Sequence, residues 1–175
     1  MVDLNPENDA CIWYNYDLSD NSQYIKCIKH LQKIIRGSMS YDVWQKRSKI
    51  GVYICPVCGE SNDYIKFESH HYPKTLFDIV DEYLQHLIDL NQIDEKTDFD
   101  VAQEIMDMHL RKDINYIVLC QYCHKKYHDN VPDVLDAVEN AWKEIIENRK
   151  DKNNGKNRDT RNQENQINGE SEKSL

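Results

Sequence analysis

The 175-residue chain lacks several features that would assign it to a broad class of proteins. No apolar run approaches the ~18 residues that a membrane span needs, and we find no internal repeat. Basic residues number 22 against 31 acidic ones, which excludes a uniformly basic coat for nucleic acid but leaves room for a local basic patch. The acidic, polar start is unlike a secretory signal. We therefore expect a soluble, cytoplasmic protein, and its abundance of Asn, Lys, Ile, Asp and Tyr hints at an AT-rich genome, bacterial or viral.

Periodicity and composition divide the chain into three parts. Residues 1–51 form an N-terminal helical region, 52–147 a central domain and 148–175 a polar tail. Within the central domain, residues 74–113 form an acidic helical insert and 132–147 a C-terminal helix. The tail contains too few apolar side chains to offset the entropy of ordering, so we expect it to be disordered. It would be either a mobile cationic arm that gathers phosphate or a solubilising tail.

The N-terminal region predicts two helices. The apolar side chains of residues 22–36 share one helical face, and Gly37 would end that helix. Residues 41–49 predict a shorter helix, capped by Ser40. Basic side chains recur at steps of three, four and three on the opposite face of the first helix, where they are either solvated or lie along a phosphate backbone. This stripe consists of Lys26, Lys29, Lys33 and Arg36.

The insert accounts for the net charge of the whole chain. Between Leu76 and Leu110 there are ten acidic residues and one basic residue, Lys96, so this block carries −9 and the rest sums to zero. Apolar periodicity predicts a helix from Leu76 to Ile88 and a second one through His109, capped by Thr97 or Asp98. If this chain binds a polyanion, the acidic block must face away from that polyanion.

Six cysteines are present, and four of them form two C-x2-C pairs. In a chain of this polarity such pairs indicate a metal site before disulfides. Four thiolates make a closed tetrahedral zinc site, and Gly59 permits the left-handed turn that a zinc knuckle often needs. A redox pair is the alternative, but it would normally open a helix in a βαβ setting, which is absent here. Cys11 and Cys27 are isolated and receive no role. We predict one shared structural Zn²⁺ at Cys55, Cys58, Cys120 and Cys123.

Short segments beside the knuckles predict β-strands. Residues 65–69 alternate apolar and polar side chains, and residues 116–119 form the apolar run Tyr-Ile-Val-Leu. Residues 52–54 look like a short strand that enters the first knuckle. After the second knuckle, Asn130 as a cap and Pro132 in the first turn predict the start of the C-terminal helix.

Histidines lie beside these strands and knuckles. His70 and His71 directly follow the first strand, and Asn115 stands directly before the second. His124 and His128 are four residues apart, which places both imidazoles on one helical face, where they can share a metal. Each histidine alone is more often structural than functional, but together they form an ordered set beside the zinc knuckles. His30, His86 and His109 lie outside this set and receive no role.

The order of these residues resembles the HNH endonucleases of the His-Me finger superfamily. The segment from Asn115 to His124 is especially close, since these two residues stand nine apart, and the paired histidines that follow look like those of colicin-type nucleases. The resemblance covers about residues 52–130, with an insert longer than is usual. Many members have aspartate where this chain has His70, although histidine occurs there in the colicin-type branch. The matching pattern is Cys55-x2-Cys58, His70-His71, Asn115, Cys120-x2-Cys123-His124-x3-His128.

The resemblance implies an α+β fold, in which a treble-clef-like ββα-metal finger is embedded among α-helices and carries a helical insert. His71 would be the general base that takes a proton from water, and Asn115 would orient His71 or brace its loop. One divalent cation would lie against the scissile phosphate and the leaving oxygen. Family members break the regularity of the strand so that both neighbouring histidines reach the site. The cation would be held by His70, His124 and His128.

The function that follows is metal-dependent hydrolysis of DNA phosphodiester bonds, and RNA stays open as a second substrate. Imidazole ligation leaves the catalytic ion open, since Mg²⁺ prefers oxygen, whereas Mn²⁺, Ni²⁺, Co²⁺ and Zn²⁺ accept nitrogen. Lys74, Lys125 and Lys126 are either phosphate contacts or ordinary surface lysines. The alternative is a non-catalytic zinc-finger module that binds nucleic acid or acts as an adaptor. No membrane partner is expected.

Overall fold

The computed structural model of the chain describes residues 16–61 and 64–150. It has the predicted α+β class, with helices and a two-stranded antiparallel sheet. None of the helices in these two ranges is long and apolar enough to cross a membrane. The prediction of a disordered tail is wrong for residues 148–150, which are helical, and the rest of the tail, from residue 151 on, lies outside the described residues. The elements are α1 (Asn21–Gly37), α2 (Met39–Arg47), β1 (Phe67–His71), α3 (Leu76–Asp89), a 3-10 turn (Ile93–Glu95), α4 (Asp98–Arg111), β2 (Tyr116–Cys120), α5 (Gln121–His128) and α6 (residues 132–150).

Contacts divide the chain into two compact units. The first contains the described residues up to Cys55 and from Glu60 to Gln121. It holds α1 to α4 and both strands. The second contains Pro56–Gly59 and the described residues from Tyr122 on, which include α5 and α6.

Both N-terminal helices are present, with one difference in capping. The side chain of Asp20 caps α1, which ends at Gly37 as predicted. The predicted cap of α2, Ser40, is wrong, because Ser40 lies inside that helix. Ser38 is the cap instead, since its hydroxyl accepts a hydrogen bond from the backbone N–H of Tyr41 at 3.1 Å. The predicted apolar face of α1 is confirmed by the burial of Cys27, Ile28, Leu31 and Ile35.

The two strands pair antiparallel in a one-to-one register, from Phe67 opposite Cys120 to His71 opposite Tyr116. The first strand therefore begins and ends two residues later than the predicted range of 65–69. Its partner sets this position, since the five residues of β2 pair with the five residues that end at His71. As a result, both neighbouring histidines belong to the strand.

The pleat of β1 sends neighbouring side chains to opposite faces of the sheet. His70 and His71 pair with consecutive residues of β2 and no bulge separates them. The irregular strand that the resemblance implied at this point is therefore wrong for this structure. Nearby, a buried hydrogen bond joins the hydroxyl groups of Ser48 and Ser69, and it ties the end of α2 to β1.

The acidic insert consists of two capped helices that pack on α1. Thr75 caps α3 and Thr97 caps α4, each in a capping box with the aspartate three residues later. The prediction of Thr97 as a cap is confirmed. The apolar faces of the three helices form the core of the first unit, and its fully buried members include Ile28, Leu31, Ile35, Val80, Leu84, Val101 and Ile105.

The turn after α5 corrects one predicted cap. Asn130 has a φ of 55°, and its backbone N–H donates to the carbonyl of Tyr127 at 3.0 Å. The N–H of Val131 donates to the carbonyl of Lys126 at 3.1 Å. This pair of bonds is a Schellman motif, which ends a helix. Asn130 therefore terminates α5, and its predicted role as the N-cap of α6 is wrong.

Candidate metal sites

The two C-x2-C pairs supply one compact group of thiols. The four Sγ atoms all lie within 4.8 Å of one another. Four sulfurs bound to one zinc ion at ~2.3 Å would be about 3.8 Å apart, so the group needs only small shifts to close around an ion. Three of the four side chains are buried, as a closed structural site requires. The group of Cys55, Cys58, Cys120 and Cys123 can therefore hold one metal ion such as zinc.

Backbone hydrogen bonds shape the first of these pairs. The N–H of Cys55 donates to the carbonyl of Glu60 at 3.0 Å, which closes the loop around the pair. Gly59 has a φ of 71°, so the predicted left-handed turn is confirmed. The N–H of Cys120 donates to the Sγ of Cys55 at 3.5 Å, a contact that joins the two pairs. The predicted strand at residues 52–54 is wrong: the chain leaves α2 through turns at residues 48–51 and then has no regular structure up to residue 54.

Three imidazoles supply a second group of possible metal ligands. The ligand nitrogens of His70, His124 and His128 lie within 4.8 Å of one another. The Nε2 atoms of the two histidines on α5 are 3.2 Å apart, and two nitrogens ~2.1 Å from one cation would be about 3.0–3.4 Å apart. The four-residue step along α5 produces this spacing. The three predicted ligands of the second cation are thus brought together.

His71 does not join these three imidazoles. Its side chain is buried, with 8% of its surface exposed. Its ring stacks on Trp44 with 5.0 Å between ring centroids. Its Nε2 lies 2.8 Å from the Nε2 of His109, which belongs to α4. Burial, followed by the charges of His109 and other neighbours, lowers the pKa of His71 to about 3. The imidazole is therefore neutral at pH 7.

The hydrogen bonds of this histidine pair fix both tautomers. The Nδ1 of His109 lies 2.7 Å from the carbonyl oxygen of Ile105 and must donate to it, so Nδ1 carries the proton. Burial lowers the pKa of His109 as well, so its Nε2 holds a lone pair. That lone pair accepts the Nε2–H of His71. The remaining Nδ1 of His71 is then the basic nitrogen of the pair.

This assignment predicts a direct spectroscopic result. We expect the His71 ring to remain in the neutral Nε2–H tautomer from pH 8 to pH 5, because its pKa is lowered to about 3. Long-range ¹H–¹⁵N correlation spectra of the imidazole rings would measure tautomer and protonation together. His109 should show the opposite tautomer, with the proton on Nδ1. Protonation of His71 near pH 6.5, or an Nδ1–H signal from it, would contradict the assignment.

The remaining predicted site residues are Asn115 and three lysines, and each of them has different contacts. Asn115 is exposed, and its carbonyl accepts the backbone N–H of Tyr72 at 3.3 Å, which extends the strand pairing by one residue. Lys74 forms an ion pair with Glu82 at 2.6 Å. The ammonium group of Lys126 lies 4.3 Å from the centre of the Tyr122 ring. The third predicted phosphate contact, Lys125, is exposed.

Sequence reasoning missed the two partners of His71. His109 stands in the apolar stripe of its helix, beside Ile105 and Met106, and a histidine in such a stripe has a buried ring that needs a polar partner. The position of His109 in this stripe could therefore have indicated a buried, hydrogen-bonded histidine. No local sequence feature indicated the contact between Trp44 and His71, because that contact depends on how α2 packs against β1.

Comparison with protein-family models gives a match over nearly the whole chain. The family model described as bacteriophage G278-like virion protein matches residues 2–174. No curated protein and no solved structure matches the chain.

Proposed function

The chain belongs to the bacteriophage G278-like virion protein family. We propose that it is a metal-dependent endonuclease acting on DNA in the phage particle or the infected cell. The observation that carries the proposal is the group of three imidazoles, His70, His124 and His128. A compact set of nitrogen ligands beside a separate set of four thiols fits one catalytic and one structural ion.

The order of elements supports the same proposal. Strand β1 carries the first imidazole of the group, β2 pairs with it, and α5 follows β2 directly with the other two. This is the element order of a ββα-metal finger, with one C-x2-C pair before β1 and the other beginning at the last residue of β2. In this arrangement α3 and α4 are an insertion between the two strands.

Hydrolysis of a phosphodiester needs charge relief on the phosphate, an activated water and help for the leaving oxygen. A divalent cation at the three imidazoles would supply the charge relief and stabilise the leaving oxygen. His71 is buried on the face of the sheet opposite to His70. It would therefore act as the base, at the Nδ1 that His109 leaves unprotonated, only if a movement of the covering helices brought its ring to the attacking water. The neutral state that burial enforces is the state a general base needs.

The burial of His71 also favours a second candidate function. A base works best when its pKa lies near the working pH, and a pKa of about 3 makes His71 a weak one. The same hydrogen bonds would serve a purely structural purpose by holding α4 against β1. In that case the chain is a non-catalytic zinc module of the virion that binds DNA or another component.

A cleavage assay with supercoiled plasmid distinguishes the endonuclease from the non-catalytic module. We expect the full chain to convert it to nicked circles when Mn²⁺ or Mg²⁺ is added, and EDTA in place of the cation should stop the reaction. Agarose gels over a time course measure the rate, and the zinc content of the same preparation shows that the four-cysteine site is filled. A zinc-loaded chain that leaves the plasmid supercoiled with Mg²⁺, Mn²⁺ and Ni²⁺ would refute the endonuclease and favour the module.

A further inference from the structure

The outer face of α1 is uniformly cationic. Between residues 23 and 36, every exposed side chain is basic. The other positions in this range are buried or half-buried, because α1 packs on α3 and α4. We call this face the α1 basic stripe, and its members are Lys26, Lys29, Lys33 and Arg36.

Among the residues that the structure describes, no ion pair neutralises the charges of the stripe. The 17 residues of α1 include no aspartate or glutamate, so the helix has none of the i, i+4 pairs that usually accompany surface lysines. The stripe is therefore available to an external anion.

Charge within the first unit is separated rather than mixed. The region of α1 and α2, residues 21–49, has seven basic residues against one acidic residue, whereas residues 76–110 carry −9. The acidic helices lie behind the buried face of α1. This separation gives the unit a cationic side and an anionic side, which attracts a polyanion to one and repels it from the other.

We propose that the α1 basic stripe binds the phosphate backbone of double-stranded DNA. The choice of DNA rests on the proposed function. From Lys26 to Arg36 the stripe spans about 15 Å of rigid helix, along which duplex DNA presents roughly nine phosphates at one charge per ~1.7 Å. Proteins that bind single strands add exposed aromatic side chains on which bases stack, and the exposed residues of α1 include none. A duplex backbone is therefore the partner that this face fits.

The stripe also leads towards the strand that carries the candidate site. The stripe ends where α2 begins, and Trp44 of α2 stacks on His71 of β1 with 5.0 Å between ring centroids. DNA held along α1 would therefore pass close to the strand of His70 and His71. A phosphate-positioning surface of this kind orients a duplex without reading its sequence.

Fluorescence anisotropy with a labelled 20-base-pair duplex and no added divalent cation tests this surface without any cleavage. The variant Lys29→Gln/Lys33→Gln should raise Kd about tenfold or more at low salt. It should also reduce the slope of log K against log salt by about 2, because two fewer phosphates are neutralised by the protein. The matched control is Arg111→Gln/Lys112→Gln, which removes two exposed cations at the end of the acidic insert. It should change Kd by less than about twofold.

The possible results test the binding surface and the endonuclease separately. Equal weakening by the two double variants would overturn the proposal, because it would show attraction by overall charge alone. No duplex binding by the natural chain would overturn it as well. Binding that depends on the stripe in a chain that never cuts plasmid would uphold the surface and refute the endonuclease. Cutting that survives in Lys29→Gln/Lys33→Gln at the natural rate would uphold the endonuclease and overturn the surface.

Discussion

Replacing Cys120 with serine is expected to reduce bound zinc from one ion per chain to nearly none and to unfold much of the domain. The reason is the closed geometry of the four-thiol group, in which each sulfur supplies one of four bonds. Apparent zinc-binding free energies in small zinc-dependent domains are about 10–16 kcal/mol, as large as the whole stability of a typical domain, about 5–15 kcal/mol. Elemental analysis of the purified chain measures the zinc, and circular dichroism measures the unfolding temperature.

Cys27→Ser is the matched control for this prediction. Cys27 and Cys120 are both buried, but Cys27 lies in the hydrophobic core of the first unit, outside the thiol group. Burial, with a further contribution from Asp98, raises the pKa of the Cys27 thiol to about 11, so it does not supply a thiolate. Its serine variant should lose some stability and keep the zinc. Full zinc content in Cys120→Ser would show that the ion, if present, is bound elsewhere.

The helices of the first unit were predictable because the local sequence of each helix specifies its buried face or its cap. The apolar period of α1 gives its buried face, and Thr97 begins α4 with a capping box that needs only four consecutive residues. The errors are at positions where the local sequence offers two choices. Ser38 and Ser40 are both acceptable caps, and the chain uses the one that lets α2 begin directly after α1 ends.

The two groups of possible metal ligands were predictable for a similar reason, since a C-x2-C pair and a four-residue step of histidines are local spacings. The position of His71 was not, because it depends on where β1 pairs with β2 and on what packs against the sheet. The regular register places His71 opposite Tyr116, and α2 and α4 supply the groups that cover it. Such contacts join residues far apart in the chain, and no local pattern encodes them.

The histidine pair gives the acidic insert a structural connection to the candidate site. His109 belongs to the insert, yet it determines which nitrogen of His71 carries a proton. An insert that only repelled polyanions would need no such contact. In the endonuclease we propose, the insert therefore has two effects: its charge disfavours one orientation of DNA, and its buried histidine orients the general base.

The variant His71→Gln tests this connection. If His71 is the general base, plasmid nicking should slow by about 10²–10⁴-fold, the usual contribution of such a group. Glutamine cannot take up the proton of a water molecule, but its amide can still donate to the Nε2 of His109, so the fold should survive. The nicking rate, zinc content and circular dichroism of the same preparation are the measurements.

Two further variants make the result interpretable. His128→Ala removes one of the three clustered imidazoles from an exposed position on α5, so activity should fall at least about a hundredfold. His86→Ala removes an exposed histidine of α3 that is outside both histidine groups, and it should cut at the natural rate. If His71→Gln cuts as fast as His86→Ala while His128→Ala is inactive, the cation site is catalytic but His71 is not its base. The His71–His109 pair would then serve to hold the insert on the sheet, and the base must be sought among the exposed groups near the three imidazoles.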